Sequence, residues 1–415
     1  MSSPLKYWQL TNTIIKLCLT YLTESITYLD RKCGEDLSSL WLDVVLVVDN
    51  SRAVTHMEKV RKNILDIYNN GTRIGISDNN PKTTRVSFVI YNKYANIIAD
   101  LNQFQSFDDL NASISTNLAN TSTFEQSHLV NGLEAATLVL EKSSLAKERL
   151  NYKKVIVVYA SLVDESVSIL NFEKMCQSFC SILLAIPLAD RLKADGITIV
   201  TVAETSGKEK EKSSIWLDLV SSGSLSYTIQ DVNLVGSIQS SMLLANCFCP
   251  SGWIQLRTEY SDIHSSKYGI CLSLNSLSAV WRAARLSCRN QWRDAYLVNE
   301  YDINKHNFVL ETLRNSSLFR SPFTYHIGLT YSAGSWYWEQ PEGALLRKVD
   351  QQVWRNWNPG YPIVSSTQTV GLNVQNENDE SETGWQNQSA MGEAHYYVCE
   401  VASCDTDNYC ETNGD

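Results

Sequence analysis

Residues 41–48, Trp-Leu-Asp-Val-Val-Leu-Val-Val, form an almost unbroken apolar run. A strand with one wet face alternates polar and apolar side chains, but this one carries a single charge in eight residues, so both of its faces must be covered. Strands of that kind sit inside parallel sheets flanked by helices. β-Branched runs recur at 86–91, 155–159 and 197–202. Between them apolar residues return with helical spacing at 57–68, 129–140, 215–220 and 234–244. The alternation predicts a doubly wound α/β domain over residues 33–246.

After Cys249 the texture changes. Trp and Tyr become frequent, and only 279–289 and 302–314 keep a helical period, with short strands and long loops elsewhere. Cys247, Cys249 and Pro250 mark the junction, which sets a second domain over 249–404, a C-terminal tail over 405–415 and an N-terminal segment over 1–32. A chain of 415 residues accommodates two domains that each bury a core.

Charge and cysteine usage narrow the setting. A formal charge of -10 repels phosphate backbones and anionic lipid, which argues against a nucleic-acid partner. Eleven cysteines, seven of them from Cys247 onward, point to an oxidising compartment and a secreted, extracellular protein. Asn-x-Ser/Thr acceptor triplets at Asn70, Asn111, Asn120, Asn315 and Asn387 fit a secreted glycoprotein. The N-terminus makes a poor signal peptide: Lys6 precedes an apolar stretch over 14–22 that Lys16 interrupts and Thr20 with Tyr21 dilutes. No apolar run reaches the roughly 18 residues a membrane span needs.

The first strand ends in Asp49-Asn50-Ser51-Arg52-Ala53, at the carboxyl edge of the sheet where open α/β folds bind ligands. The same Asp and Ser also suit the cap of a following helix. No Gly-x-Gly-x-x-Gly follows, so a dinucleotide is disfavoured. In residues 42–51, 85–91, 128–136 and 155–160 the domain resembles von Willebrand A domains. That resemblance implies a divalent cation at an Asp-x-Ser-x-Ser loop, completed by a Thr and an Asp from two further loops. Asp49 and Ser51 match, Ser127 replaces the Thr and keeps its hydroxyl, but Ala53 and Ala160 stand where two more oxygens are expected. A hard cation such as Mg²⁺ needs a near-octahedral oxygen shell. The site is therefore degenerate and the expectation is no cofactor, with Asp164 and Glu165 as the nearby acids that could compensate. An insertion at 170–185 carries Cys176 and Cys180, four apart as on one helix face, ahead of a helix expected to begin near Pro187. A zinc site there would need two further ligands, and none is evident.

Cys249-Pro250-Ser251-Gly252-Trp253 opens a second series of motifs. Cys271, the helix 281–288 ending in a Cys, Ile327-Gly328-Leu329, Trp336-Tyr337-Trp338, Trp357-Asn358-Pro359-Gly360, Trp385 and Tyr397-Val398-Cys399-Glu400 follow in order. The series resembles long-form C-type lectin-like domains, which implies an α+β fold. It also implies disulfides Cys249–Cys271 and Cys288–Cys399. Cysteines bracketing an A domain suggest Cys33–Cys247, and Cys404–Cys410 would close the tail. In that family sugar binding commonly depends on Ca²⁺ held by a Glu-Pro-Asn type triplet and a Trp-Asn-Asp triplet. Here they read Tyr361-Pro362-Ile363 and Trp385-Gln386-Asn387, so the conventional calcium site is expected to be absent. The acids within 377–382 could attract cations, although a solvated charge run explains them equally. Tyr361, Ile363, Trp385 and Asn387 are the expected ligand-binding residues.

The order of the two domains is similar to secreted nematode C-type lectin families with a von Willebrand A domain, which implies recognition or adhesion in innate defence. No Gly-x-Ser-x-Gly, His-Glu-x-x-His or phosphate loop is present, so no enzyme is expected. The partner is an extracellular glycan or protein; a calcium-dependent lectin and a purely structural interaction module are the alternatives.

Overall fold

The computed structural model describes residues 30–69, 71–145, 149–161, 172–204, 216–262, 265–349 and 354–411, with the side chains of the 172–194 helix described from residue 183. The signal-peptide segment, Asn70, Asp164, Glu165, Cys18 and the side chains of Cys176 and Cys180 lie outside the described residues. The chain divides into two compact units. One comprises Lys32–Ser251, Asp262–Gly269 and Ser403–Asp415; the other comprises Met1–Arg31, Gly252–Ser261 and Ile270–Ala402.

The first unit is a doubly wound α/β domain. Its strands are β1 (Leu42–Asp49), β2 (Arg85–Tyr91), β3 (Ala95–Ala99), β4 (Lys153–Ser161), β5 (Thr198–Glu204) and β6 (Ser226–Thr228). They lie in the order β3-β2-β1-β4-β5-β6, all parallel except the antiparallel edge strand β3. All eight residues of β1 are buried, and the period of two deals them to two cores. Val44, Leu46 and Val48 pack beneath α1 (Met57–Tyr68), α2 (Phe107–Asn117) and the helix Leu234–Asn246; Val45 and Val47 pack beneath α3 (Leu129–Leu145) and α4 (Phe172–Ala194). The Leu234–Asn246 helix is α5.

The charged exception in β1, Asp43, sits opposite Arg85 in the register. Its two oxygens accept from Arg85 Nε at 2.9 Å and Nη2 at 2.6 Å, so the buried pair is bidentate and hydrogen-bonded rather than isolated. The helix expected to begin near Pro187 begins instead at Phe172 and runs through the proline. Ala185, Ala189 and Leu192 pack its inner face against the sheet, and that burial sustains a helix whose ladder the proline interrupts. The Cys33–Cys247 disulfide, with a separation of 214 residues, joins the two ends of this unit. The tail belongs to it too: Cys404–Cys410 closes a small loop, Trp41 Nε1 donates to Asp405 O at 2.8 Å, and the Trp41 and Tyr409 rings meet at 4.9 Å.

The second unit is α+β. Its strands are β7 (Ile254–Arg257), β8 (Lys267–Ala279), β9 (Tyr296–Leu297), β10 (Phe323–Ser332), β11 (Ser335–Trp338), β12 (Arg347–Lys348), β13 (Val370–Gln375), β14 (Gly384–Gln388) and β15 (His395–Ala402), and its helices are α6 (Trp281–Gln291) and α7 (Ile303–Arg314). β12-β11-β10-β15-β8-β7 forms the main path, with β13 and β14 as a hairpin leaning off β10 and β9 pairing with β15. α6 buries Trp281, Ala284 and Cys288 at helical spacing, and Cys288–Cys399 ties it to β15. Cys249 and Cys271 are also disulfide-bonded. α7 starts at Asp302, whose carboxylate accepts from the N–H groups of Asn304 and Lys305.

Candidate functional site

At the carboxyl edge of the first sheet the structure brings Asp49, Ser51 and Ser127 together. Asp49 is buried at the end of β1. Its Oδ1 accepts from Ser51 N at 2.7 Å; its Oδ2 accepts from Ser127 Oγ at 2.6 Å and Ser161 N at 3.1 Å, and also from the Ser161 hydroxyl. α3, which follows Ser127, can lie this close to the sheet because Gly132 has no side chain: a Cβ there would meet Val47 at 2.8 Å. Burial pushes the Asp49 carboxyl up, against the pull of the serine hydrogen bonds.

Ser161 is a member of this cluster that the sequence did not single out. β4 runs two residues past the apolar run 155–159, so its alternation turns Ala160 into the core beneath α3 and α4 and Ser161 toward Asp49. One carboxylate whose oxygens already accept several hydrogen bonds, with serine hydroxyls around it, does not fit the oxygen shell of a hard divalent cation. Among the described residues a further carboxylate on this sheet edge, Glu204, pairs with Ser161 in the register and accepts from Thr55 N and Oγ1, His56 N and His56 Nδ1.

In the second unit the long loop 354–369 lies beside the β13–β14 hairpin. Asn358 N donates to Trp385 O at 2.9 Å, and Trp385 N donates to Asn356 O at 2.6 Å. Trp385 is fully buried, with its ring packed against those of Trp338, Trp354 and Trp357, and its Nε1 donates to Glu300 Oε2 at 2.7 Å. It therefore supports the loop from beneath and does not reach a ligand. Asn387 is likewise spent on the fold. Its Oδ1 accepts from Ile363 N at 2.7 Å, and its Nδ2 donates to Ile363 O at 2.9 Å and Gln368 O at 2.8 Å. The Asn387 Nδ2, the atom that would carry a glycan, is buried and makes both of these hydrogen bonds. Asn120 and Asn315 are exposed and Asn111 is half-buried on α2.

Within this loop, residues 362–364 present an apolar stretch to solvent. Ile363 is 43 % exposed and Val364 91 %, and together with Pro362 they border a shallow hollow walled by Tyr331 and Trp336. Tyr361 is half-buried at the base of the same loop. Where the family's calcium ligands would fall, Tyr361, Pro362 and Ile363 carry no side-chain carboxylate or amide, and the Asn387 oxygen accepts from Ile363 N. The described acids of 377–382 are engaged locally. Asp379 Oδ1 accepts from Ser381 N and Oγ, Glu382 Oε2 accepts from Asn376 Nδ2, and Glu377 lies 3.5 Å from Arg314. Among the described residues no group of three or more His, Cys, Asp or Glu is placed to hold a metal ion.

Beneath the loop lies a buried polar hub with no local sequence signal. Glu300, fully buried, accepts from Tyr325 Oη at 2.5 Å, from Trp385 Nε1, and from Asn373 Nδ2, with His306 Nδ1 at 3.0 Å. Burial alone would raise its carboxyl; His306 and these hydrogen bonds outweigh that and hold it below the usual carboxylate range. A second buried group is Lys305, 2.5 Å from Asp30 and 2.8 Å from Glu400. Both clusters order the core that carries the loop.

Residues 43–241 match the family model of the von Willebrand factor type A domain, and residues 278–401 match that of the C-type lectin domain. The two matches follow one another in the order A domain, then C-type lectin domain. It is 24 % identical over 397 residues, 92 % of its length, to C-type lectin domain-containing protein 160 of Caenorhabditis elegans, and spans 56 % of the length of that relative. Among solved structures, the manganese-loaded TRAP protein of Plasmodium vivax is 16 % identical, with 51 % of this chain and 77 % of that one covered at a TM-score of 0.37. Ovocleidin-17 of the Gallus gallus eggshell calcified layer is 20 % identical, with 37 % of this chain and 99 % of that one covered at a TM-score of 0.27.

Proposed function

We propose that the protein is a secreted recognition protein whose lectin domain binds a glycan or protein ligand in innate defence without calcium, through the apolar edge of its long loop. The observation that carries this reading is Asn387, whose side chain clamps the backbone of Ile363 where a metal ligand would be needed. The loop then offers Ile363 and Val364 to solvent over an aromatic wall, a surface suited to a protein or to the apolar face of a sugar ring. Disulfides in both units support an extracellular setting. No helix among the described residues is long and apolar enough to cross a membrane.

The chain acts by binding, and catalysis and cofactors form no part of this reading. His128, the described histidine nearest the Asp49 cluster in sequence, has a buried Nε2 with no hydrogen-bond partner among the described residues. Glycan arrays and binding to bacterial surfaces, each run in EDTA and in Ca²⁺, test the proposal. The same signals are expected in both, weakened in Tyr361→Ala by roughly 1–3 kcal/mol and abolished by Ile363→Asp. Signals that appear only with Ca²⁺ would contradict it.

A further inference from the structure

The lectin domain has a second concavity whose chemistry the loop edge does not use. α6 carries Trp281, Arg285 and Arg289 at four-residue spacing, so the three side chains follow one another along one helix face. Opposite them lie residues 330–332 at the end of β10 and the turn 339–346 that follows β11, and the open cleft between has a volume of about 470 Å³, within the range of small-molecule sites.

The two guanidinium groups in this cleft are held in place with donors to spare. Glu339, 3 % exposed, accepts from Arg285 Nε at 2.7 Å and fixes that side chain, whose two terminal nitrogens meet no acceptor among the described residues. Arg289 has one partner there, Glu342, by Nη1 to Oε1 at 3.0 Å. Glu342 is 74 % exposed and so a weak, displaceable partner, while Arg289 Nε is buried without an acceptor. Two guanidinium groups on one helix face, one fixed through its Nε and the other paired only with an exposed carboxylate, are a donor arrangement that a planar or tetrahedral oxyanion completes through their terminal nitrogens. Thr330, Ser332 and Gln340 line the rest of the cleft together with Trp281, Tyr331, Pro341, Ala344 and Leu346. Hydroxyl and amide groups beside aromatic and apolar ones suit a hydroxylated ring with a polar rim and an apolar face, while an acidic peptide would also need a free strand edge.

We propose that this cleft binds an acidic saccharide, with a carboxylate or sulfate group seated on Arg285 and Arg289 in place of Glu342. The cleft borders the hollow beside the loop edge at Tyr331, but neither arginine lines that hollow, so the two sites are tested by different substitutions. The test is calorimetric titration of the full chain in EDTA with glucuronic acid and with N-acetylglucosamine 6-sulfate, against neutral glucose and acetyl-glutamate amide. At least one acidic sugar is expected to bind about tenfold more tightly than glucose and than acetyl-glutamate amide, and which of the two does so identifies the anion. Arg289→Gln should remove that advantage, Glu342→Gln should strengthen binding severalfold, and Tyr361→Ala should leave it unchanged. Acidic sugars no better than glucose would overturn the proposal, and so would acetyl-glutamate amide binding as tightly. If Arg289→Gln does not fold, Glu342→Gln decides, because unchanged or weaker binding in that variant contradicts displacement.

Discussion

Asn387 bonds both backbone groups of Ile363, accepting from its N–H at 2.7 Å and donating to its carbonyl at 2.9 Å. The side chain thus acts as a piece of backbone, pairing a loop with β14 across a gap that the strand ladder does not span. Asn387→Ala removes these two bonds and the one to Gln368 O, at about 1 kcal/mol each, so a loss of roughly 3 kcal/mol is expected in urea unfolding of the chain. Peptide mass mapping of the protein expressed through a secretory route should also find Asn387 unglycosylated. A glycan on Asn387, or a variant as stable as the parent, would contradict the clamp.

The A domain should bind Mg²⁺ weakly or not at all. Asp49 accepts from Ser51, Ser127 and Ser161, and no second carboxylate joins it among the described residues. Calorimetry should register no heat at millimolar Mg²⁺. A sub-millimolar dissociation constant that Asp49→Ala abolishes would overturn this reading.

Acid should weaken the lectin domain through His326. Its ring is buried in β10, Nε2 meets Ala279 O at 2.8 Å, and Nδ1 is buried with no partner among the described residues. Burial lowers its pKa to about 4, and the neighbouring His395, centroid to centroid 5.3 Å, is lowered in the same direction. Between that value and the ordinary histidine value near 6.5 the unfolded chain binds the extra proton. Stability is therefore fully present above about pH 6.5 and falls as the pH drops toward 4, by about 3 kcal/mol in all. Urea midpoints at neutral pH and at about pH 4.5 should diverge less in His326→Gln than in the parent chain. An equal divergence in both would place the acid sensitivity elsewhere.

The elements readable in advance were those whose burial is written into consecutive residues. β1 was legible because both of its faces are covered, and α1 because its apolar residues keep one helical face. α2 escaped notice because Leu110 and Ile114 are its only buried residues, although Ser106 followed by Asp109 is a capping signal, with Ser106 Oγ accepting from Asp109 N. Ser161 was missed by one residue: the expected acid position fell on Ala160, and the strand's alternation hands the polar role to its neighbour. The motif around Trp385 suits both a ligand-binding residue and a core aromatic, and its ring is fully buried beneath the loop. Glu300 gave no sign at all, since its partners His306, Tyr325, Asn373 and Trp385 are spread over 85 residues of sequence and meet only in the folded core.

The most direct test of the account is the melting temperature of the full chain in EDTA and across a Ca²⁺ titration, because it needs no ligand to be known. Binding to the folded state alone stabilises by about 2.7 kcal/mol at a concentration some 100 times the dissociation constant. For a domain of this size that amounts to a rise of several degrees, at roughly 2–4 °C per kcal/mol. With Asn387 spent on Ile363 and no carboxylate in Tyr361-Pro362-Ile363, the predicted result is a lectin-domain transition at the same temperature in EDTA and in about 10 mM Ca²⁺. A rise of several degrees that EDTA reverses would contradict the calcium-free reading.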